Sequence, residues 1–263
     1  MKADLKTTEG CDFLDPFYSP HTKWKRIEKN FYQLPQKYSF DLKEMQTECD
    51  KITQQFPLEP FKFTTQEGKE RSRLSYRGVG LSSRSGSENA LYDSLSIYSK
   101  EGNKLNIYQS FANMSDKKPS VERQVANIFE ADFDQTTEAC TPYFKNLLSK
   151  FKSPFSKVRL LELHPGGIIP AHFDFPYYQT IRIHAVIKSN PDVIWEVEGE
   201  QMSIPADGHF YWFDTGKYHA VKNMSQETRL VLSINLLVYH DRAGQQIRSE
   251  NENLIDIFDS GAL

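Results

Sequence analysis

The chain has 263 residues and a formal net charge of −3, with 38% hydrophobic and 13% aromatic residues. This composition is typical of a packed globular protein and excludes a largely disordered one. The small negative charge argues against nucleic acid as a partner, because nucleic-acid binders carry a basic surface.

No segment has the pattern of a secretory signal or a membrane helix. The first residues, MKADLKTTEG, contain no apolar run, and the chain nowhere reaches the roughly 20 consecutive apolar residues of a membrane span. Its three cysteines, Cys11, Cys49 and Cys140, are far apart and lack CxxC spacing, which indicates a reducing compartment. We therefore expect a cytoplasmic protein with no membrane partner.

The order of the patterns predicts a single domain over residues 1–263. Residues 1–153 form a mixed N-terminal part with helices and early strands, in which 1–38 have no clear period and are interpreted as an arm. Residues 154–240 form a core that carries the chemistry, and 241–263 form a polar C-terminal appendage.

Two helices are predicted in the N-terminal part. The first begins after Asp41, because Asp41 and Glu44 form the Asp-x-x-Glu capping pattern and apolar residues then recur at helical spacing as far as Phe56. The second begins near Pro142, a residue suited to the first helical turn, and its apolar stripe runs to Phe151. Both stripes predict helices that pack on a core and carry no chemistry.

Between residues 60 and 112 the pattern changes to short strands, FKF, LSYRGVGL and LYDSLSIY, with a Ser/Gly-rich loop at 82–90. Gly78-Val-Gly80 is a poor candidate for a phosphate-binding loop, because the Lys-Ser/Thr pair and the following helix of a P-loop are missing. We interpret the loop as a connector or a mobile segment beside the substrate.

After Pro154 the chain is rich in strands as far as Tyr239. The segments are KVRLLEL, IRIHAVI, VIWEVEG, HFYWFD and TRLVLSINLLV, separated by turn signals. Many short strands without intervening helices favour an antiparallel sandwich or barrel. The predicted fold class is mainly β with flanking helices.

His172 and Asp174 stand at the end of the run HPGGIIPAHFD, with one residue between them. Residues two apart on a strand point to the same face, so this imidazole and carboxylate can reach one metal ion. His219 in WFDTGKYHAV follows a strand and a Thr-Gly turn and is the candidate third ligand. Two histidines and one carboxylate on one face of iron are typical of non-haem Fe(II) oxygenases.

Two arginines lie on strands whose two faces differ in polarity. In TRLVLSIN, Arg229 shares one face with Ser233 and Asn235, whereas the opposite face is apolar, and in IRIHAVI, Arg182 shares a face with His184. A polar inward face in a small barrel indicates a ligand cavity. Since a guanidinium binds a carboxylate bidentately, a dicarboxylic co-substrate would chelate iron and meet Arg229, with Arg182 and His184 assisting.

The four segments HPGGIIPAHFD, IRIHAVI, YWFDTGKYHAVKN and TRLVLSIN, within residues 158–238, resemble the Fe(II)- and 2-oxoglutarate-dependent oxygenases of the aspartyl/asparaginyl β-hydroxylase-like group. The animal members have Gly where this chain has Asp174, so the chain is more similar to the bacterial proline-hydroxylase-like branch. Leu161 stands where some members have a polar residue.

The resemblance implies a double-stranded β-helix, that is, a jelly-roll or cupin-like core. It also implies iron ligands at His172, Asp174 and His219. Arg229 would bind the distal carboxylate of 2-oxoglutarate, and Arg182 and His184 would lie near the same co-substrate. The expected activity is a dioxygenase that uses O2 to hydroxylate an unactivated C–H bond of an amino acid or a similar small molecule, with release of succinate and CO2.

Three alternatives remain. The protein could hydroxylate a residue within a protein or peptide, or it could be a non-catalytic cupin-like metal-binding module. A nucleic-acid demethylase is the third, and the net charge argues against it. The cations Arg182 and Arg229 favour an oxygenase over a metal-binding module, because a barrel without a dicarboxylate has little need of them.

The remaining polar candidates are interpreted as structural, with His164 bonded to nearby backbone in its Pro-Gly turn. They are His164, His209, His240, His21, Asp214 and Trp212. A second group of residues is considered for contacts with the primary substrate. Its members are Tyr177, Tyr178, Asn235, Arg77 and Arg84.

Overall fold

A computed structural model describes residues 30–64, 70–83, 86, 133–151, 155–172, 180–215 and 217–237. Within these ranges the chain forms β-strands and two α-helices, α1 (Leu42–Gln55) and α2 (Pro142–Leu148). The strands are β1 (Phe31–Gln33), β2 (Glu59–Thr64), β3 (Glu70–Gly80), β4 (Ser82–Ser83), β5 (Gln135–Thr136), β6 (Phe155–Leu163), β7 (Ile168–His172), β8 (Thr180–Lys188), β9 (Val193–Val197), β10 (Glu200–Met202), β11 (Phe210–Phe213), β12 (His219–Asn223) and β13 (Arg229–Leu237).

The strands form two main antiparallel sheets whose order identifies the fold. The larger sheet has the order β1-β11-β8-β13-β6-β3-β2, and the smaller has the order β10-β9-β12-β7. From β6 to β13 the chain passes back and forth between the two sheets, with only β9 and β10 consecutive in one sheet. This is the strand order of a double-stranded β-helix, so the predicted jelly-roll core is confirmed.

Two apolar cores lie on opposite faces of the larger sheet. One separates the two sheets and contains Val231 and Trp195, whereas the other packs the larger sheet against the helices and contains Leu230 and Leu232. Alternate residues of β13 therefore enter different cores, as expected for a strand with side chains on alternating faces. The predicted division of this strand into two faces is confirmed.

Both predicted helices are present. The Asp41 carboxylate accepts a hydrogen bond from the backbone N–H of Glu44 at 2.9 Å and caps α1. Pro142 opens α2, and Phe144 and Leu147 on its apolar stripe are buried. The helices bury these stripes against the face of the larger sheet that is turned away from the smaller sheet.

The N-terminal arm differs from the prediction where the structure describes it. Phe31–Gln33 forms β1 and pairs with β11 at the edge of the larger sheet, and Leu34 and Tyr38 are buried. A strand this short is too brief to produce a recognisable period. Strand β3 contains Gly78 and Gly80, which agrees with rejecting a phosphate-binding loop.

Several predicted elements lie outside the described residues: the strand LYDSLSIY, most of the loop at 82–90, and the appendage at 241–263. The division of the chain into one domain with these parts stays a prediction. None of the described helices combines the length and apolar content required to cross a bilayer.

Candidate metal and co-substrate site

The structure brings two of the three predicted metal ligands together. His172 is the last residue of β7 and His219 is the first of β12, and the two are directly paired across these strands. Their ring centroids are 4.3 Å apart. Two imidazoles at the ends of neighbouring strands can therefore bind the same metal ion.

Backbone contacts determine which ring nitrogen of each histidine carries a proton. Nδ1 of His172 lies 2.7 Å from the Pro170 carbonyl oxygen, and Nδ1 of His219 lies 3.0 Å from that of Lys217. Because a carbonyl oxygen only accepts, each Nδ1 must donate, and the lone pair of the neutral ring is then on Nε2. This is the usual arrangement of an imidazole that binds a metal through Nε2.

The third predicted ligand, Asp174, lies outside the described residues. No group of three metal-binding side chains occurs within the ranges that the structure describes, so the three-residue centre stays a prediction. The donor set present, two imidazoles whose Nδ1 atoms contact backbone carbonyl oxygens, fits Fe(II) and also other divalent metals that bind imidazole.

Arg229 is the first residue of β13 and is 2% exposed. Its guanidinium carbon lies 4.3 Å from the ring centroid of Trp195. The Nε and Nη1 atoms of Arg229 and the indole Nε1 of Trp195 are buried and have no hydrogen-bond partner among the described residues. Buried donor atoms on two residues in contact are chemically suited to binding an anion.

Burial also affects the charge of Arg229. Desolvation lowers the pKa of its guanidinium to about 10, and the Tyr76 phenol acts weakly in the opposite direction. The group therefore remains positive at neutral pH, although its charge is held at a cost in solvation free energy. An anionic ligand would offset that cost.

Aromatic rings connect the histidine pair to Arg229. The Phe213 ring lies 5.4 Å from that of His219 and stacks on that of His184 at 4.8 Å. The His184 ring in turn lies 5.3 Å from that of Trp195, which carries Arg229 on its face. The predicted metal end and the predicted anion end are thus the two ends of one ring-lined region.

The turn between β12 and β13, in which Asn223 and Ser225 are buried, holds Arg229 in register with the rest of the site. The side-chain amide of Asn223 donates to the carbonyl oxygens of Leu163 and Glu227, both at 2.8 Å, and its oxygen accepts from the Ser225 hydroxyl at 2.7 Å. These bonds tie the β12–β13 turn to the end of β6. His219 and Arg229 are consequently fixed on either side of one rigid turn.

Arg182 lies on the same inward face of β8 as His184, towards the end of the sheet away from Arg229. Its Nε donates to the Asn235 side-chain oxygen at 2.8 Å, and the two residues are paired across β8 and β13. The predicted shared face of Arg182 and His184 is therefore present, and Asn235 of β13 lies beside it.

Sequence reasoning missed two residues of this region. Trp195 was part of a predicted strand but not of a predicted site, although the alternation in VIWEVEG places it on a buried face with Val193 and Val197. Arg159 is 6% exposed and is paired with Ser233 on the inward face of β13. In the segment KVRLLEL, Arg159 stands between apolar residues, so the sequence did not indicate that its side chain faces the site.

Several polar residues that were interpreted as structural make contacts that fit this interpretation. The main chain of His164 bonds to the backbone of Ser75 and Gly167, which confirms the predicted bond to nearby backbone, and its ring lies 3.1 Å from the Glu162 carboxylate. The His209 ring bonds to Gln36 at 2.8 Å, and Asp214 lies 3.4 Å from Lys217. Trp212 packs in the helix-side core, which confirms its predicted packing role.

The substrate-contact candidates are only partly described. Arg77 pairs with Glu162, between the inward-facing Leu161 and Leu163 of β6, so it lies on the face turned away from the site. Tyr177, Tyr178 and Arg84 lie outside the described residues, as do His21 and His240 of the group interpreted as structural.

The strand order defines the protein as a jelly-roll protein, and polar residues on strands of its larger sheet face the smaller sheet. A family model described as aspartyl/asparaginyl β-hydroxylase matches residues 92–238, which is more than half of the 263 residues. The chain belongs to this family, and membership supports a hydroxylase enzyme. No curated protein matches the chain.

Solved structures show more distant similarity. A 2OG-Fe(II) oxygenase family oxidoreductase from Burkholderia pseudomallei is 13% identical and has a TM-score of 0.42, covering 83% of this chain and 90% of its own. A prolyl hydroxylase from Trichoplax adhaerens, in complex with a hypoxia inducible factor oxygen degradation domain peptide fragment, is 11% identical with a TM-score of 0.41, covering 80% and 84%. A predicted oxalate decarboxylase from Thermotoga maritima is 18% identical with a TM-score of 0.26, covering 32% and 67%. The family assignment rests on the family model and the strand order.

Proposed function

We propose that the protein is an Fe(II)- and 2-oxoglutarate-dependent dioxygenase that hydroxylates an unactivated C–H bond of an amino acid or a similar small molecule. One oxygen atom of O2 enters the product as hydroxyl, and the other enters succinate as 2-oxoglutarate loses CO2. The observation that supports this proposal is the arrangement of His172 and His219 at one end of a ring-lined region and Arg229 at the other.

The metal end would be formed by His172, His219 and Asp174. The two imidazoles present Nε2 because their Nδ1 atoms donate to backbone carbonyl oxygens. Bound iron would supply the oxidant by activating dioxygen with electrons from the decarboxylation of 2-oxoglutarate. Asp174, as the carboxylate ligand, supports placing the chain nearer the proline-hydroxylase-like branch.

The co-substrate end would be formed by Arg229 and Trp195. Nε and Nη1 of Arg229 and the indole N–H of Trp195 can donate hydrogen bonds to the two oxygen atoms of the distal carboxylate of 2-oxoglutarate. Some members of the family have a polar residue at the position of Leu161, which is apolar and buried here. The Trp195 N–H would supply a polar contact to the co-substrate in its place. His184 and Arg182 lie on the same inward face and would contact the co-substrate nearer the metal.

The protein's own part in catalysis is to position the reactants and exclude water. Phe213, Trp195 and Val231 belong to one buried apolar cluster between the sheets, so the co-substrate would be held in a dry region. A low-dielectric surrounding strengthens the carboxylate–guanidinium pair and protects the oxidant from side reactions.

The test is an anaerobic titration of the apo-protein, first with Fe(II) and then with 2-oxoglutarate, while the weak visible metal-to-ligand charge-transfer band is recorded. The wild type should develop the band, whereas His219→Ala and Asp174→Ala should not. His209→Ala is the matched control, because that imidazole bonds to Gln36 on the surface. Iron binding without a band in the wild type would favour the metal-binding module instead.

A second candidate function is hydroxylation of an aspartyl or asparaginyl residue in a protein or peptide. The description of the matching family favours it. Succinate release stimulated by a peptide but by no free amino acid would select this candidate. A cytoplasmic location belongs to the proposal for the small-molecule enzyme.

A further inference from the structure

Asn30 lies just before β1 and connects three parts of the molecule. Its carbonyl oxygen accepts a hydrogen bond from the Asp214 backbone N–H at 3.1 Å, which extends the pairing of β1 with β11 by one residue. Its Nδ2 atom donates to the Glu200 carboxylate on β10 at 2.7 Å, and its Oδ1 atom accepts from Nζ of Lys217 at 2.7 Å. Asn30 therefore joins one edge of each sheet to the connection between β11 and β12.

The two side-chain partners of Asn30 require an amide at this position. The Glu200 carboxylate only accepts hydrogen bonds, whereas the Lys217 ammonium only donates them. An amide supplies a donor and an acceptor in one planar group, so Asn30 can bond to both partners at once. Because the Lys217 side chain is only 23% exposed, its charge-assisted bond to Asn30 is partly shielded from competition by water.

Lys217 is held by further contacts of its own. Its backbone N–H donates to the Asp214 carbonyl oxygen at 3.2 Å, and its Nζ atom lies 3.4 Å from the Asp214 carboxylate. Its carbonyl oxygen lies 3.0 Å from Nδ1 of His219 and accepts the proton of that nitrogen. The backbone of Lys217 thus connects the Asn30 side chain to a candidate metal ligand.

The position of the Lys217 carbonyl affects which nitrogen of His219 is available to a metal. With Nδ1 protonated and bonded to this carbonyl, the lone pair is on Nε2. Movement of the Lys217 peptide group would remove the acceptor, and the tautomer protonated at Nε2, which cannot bind a metal through that atom, would become populated. Contacts that orient a metal-binding histidine typically change metal affinity by about 10-fold to 100-fold.

We propose that Asn30 is a positioning residue that, through Lys217, keeps His219 in the tautomer and orientation that bind the metal ion. This inference rests on the proposed function for the role of His219 as a ligand. The tautomer of His219 can nevertheless be measured in the metal-free protein, so the inference has a test of its own. A residue of the N-terminal part would then contribute to the metal end of the core.

The first measurement is the tautomer of His219 in metal-free protein labelled with 15N at histidine. Two-bond 1H–15N NMR spectra at mildly alkaline pH distinguish the two neutral tautomers, and His219→Ala assigns the signal. The wild type should carry its proton on Nδ1, whereas Asn30→Leu and Lys217→Met should populate the form protonated at Nε2.

Gln201→Leu is the matched control for Asn30→Leu. The Gln201 amide on β10 also donates to a carboxylate, that of Glu196 at 2.9 Å, but this bond does not involve the connection between β11 and β12. The substitution removes an equivalent amide–carboxylate bond at the same edge of the smaller sheet. It should leave the tautomer of His219 unchanged.

The second measurement is the affinity of the apo-protein for Co(II), followed by visible absorption. Asn30→Leu and Lys217→Met should each raise the Kd by about tenfold, the lower end of the usual range, because they act through one peptide group. The double variant should be no weaker than the weaker single variant, whereas independent effects would multiply to about 100-fold. Gln201→Leu should stay within about twofold of the wild type, as expected for an exposed polar contact.

Asn30→Asp separates positioning from stability. Aspartate keeps an acceptor for Lys217 but places a second carboxylate against Glu200, so the protein should unfold at lower urea concentration than the wild type. The Kd for Co(II) should stay within about threefold of the wild-type value, because the bond to Lys217 is retained. A merely structural role would make metal affinity follow stability, and Asn30→Asp would then bind Co(II) as weakly as Asn30→Leu.

Four outcomes would overturn the inference in a wild type that binds Co(II) and develops the charge-transfer band. They are a wild-type His219 protonated at Nε2, an unchanged tautomer and Kd in Asn30→Leu, multiplied effects in the double variant, and equal weakening by Asn30→Asp and Asn30→Leu. If Asn30→Leu does not fold, Lys217→Met and Asn30→Asp decide the question. A wild type that binds no Co(II) would instead remove the proposed function and, with it, the role of Asn30 in metal binding.

Discussion

The guanidinium carbon of Arg229 lies 4.3 Å from the ring centroid of Trp195. Trp195 belongs to the smaller sheet and Arg229 to the larger, so this contact joins the two sheets at the end of the site away from His219. A cation over an indole face is stabilised by about 1–2 kcal/mol when both are desolvated. The indole therefore helps to stabilise the buried positive charge of Arg229, and a bound carboxylate would neutralise that charge.

Replacing Arg229 should separate co-substrate binding from folding. Arg229→Met removes the charge and both unpaired donors, and we expect the Kd for 2-oxoglutarate to rise by about 100-fold, the loss typical of a buried charged pair. Arg229→Lys should lose about tenfold, because an ammonium cannot bind a carboxylate bidentately. Anaerobic titration of the charge-transfer band gives both values.

Lys222→Met is the control for the Arg229 series. Lys222 lies on β12 and its ammonium is 3.4 Å from Glu196 in a partly exposed pair, so its loss should leave the Kd within about twofold, since exposed pairs contribute little. An equal effect of the two methionine variants would mean that general electrostatics, and not a specific contact, attract the co-substrate.

Trp195→Phe tests the indole N–H alone. Phenylalanine keeps a ring under Arg229 but removes the buried Nε1 donor that has no described partner. We expect 2-oxoglutarate affinity to fall by about fivefold to tenfold, which corresponds to one lost hydrogen bond. Unchanged affinity in the charge-transfer titration would exclude the indole as a carboxylate donor.

Asn223→Ala should weaken both the fold and the site. The side chain is fully buried and its amide joins the β12–β13 turn to Leu163 and Glu227. Leaving these carbonyl oxygens unpaired should cost about 2–4 kcal/mol in the free energy of unfolding, measured by urea titration. Affinity for 2-oxoglutarate should fall as well, because Arg229 begins directly after this turn.

The comparison variant for Asn223 is Asn190→Ala. Asn190 caps an exposed turn by accepting from the Asp192 N–H, and its loss should cost at most about 1 kcal/mol, as for other exposed caps. Equal destabilisation by the two variants would show that the buried hydrogen bonds of Asn223 contribute no more to the free energy of unfolding than an exposed cap does.

The buried thiols should make stability depend on alkaline pH. Desolvation by burial raises the pKa of Cys49 to about 12 and that of Cys140 to about 11, from 9.0. Above this ordinary value the unfolded chain releases protons that the folded chain retains. The free energy of unfolding should therefore decrease as pH rises, by at most about 1.4 kcal/mol per pH unit for each thiol.

Urea titrations between about pH 8 and about pH 10 measure this effect, and the double variant Cys49→Ala with Cys140→Ala should show a shallower decrease. The same slope in both proteins would mean that other groups dominate the alkaline behaviour. In a Cys11→Ser background, neither buried thiol should react with a thiol reagent until the chain unfolds.

The local patterns of the core were sufficient to predict its faces. Alternation along TRLVLSIN separates Arg229 and Ser233 from Leu230 and Leu232, because side chains on a strand alternate between two faces and each face meets a different core. The capping pattern at Asp41 predicted the start of α1 for a similar reason, since the cap and its N–H are three residues apart. These features depend on near neighbours in sequence.

Contacts between distant segments could be known only from the tertiary structure. The position of Trp195 under Arg229 depends on the packing of two sheets, and the bond between Asn30 and Lys217 depends on the pairing of β1 with β11. The sequence by itself determined residue types, spacing and strand faces. Which residues of different strands meet across the barrel was decided by strand order and register, because pairing in a jelly roll joins segments that are remote along the chain.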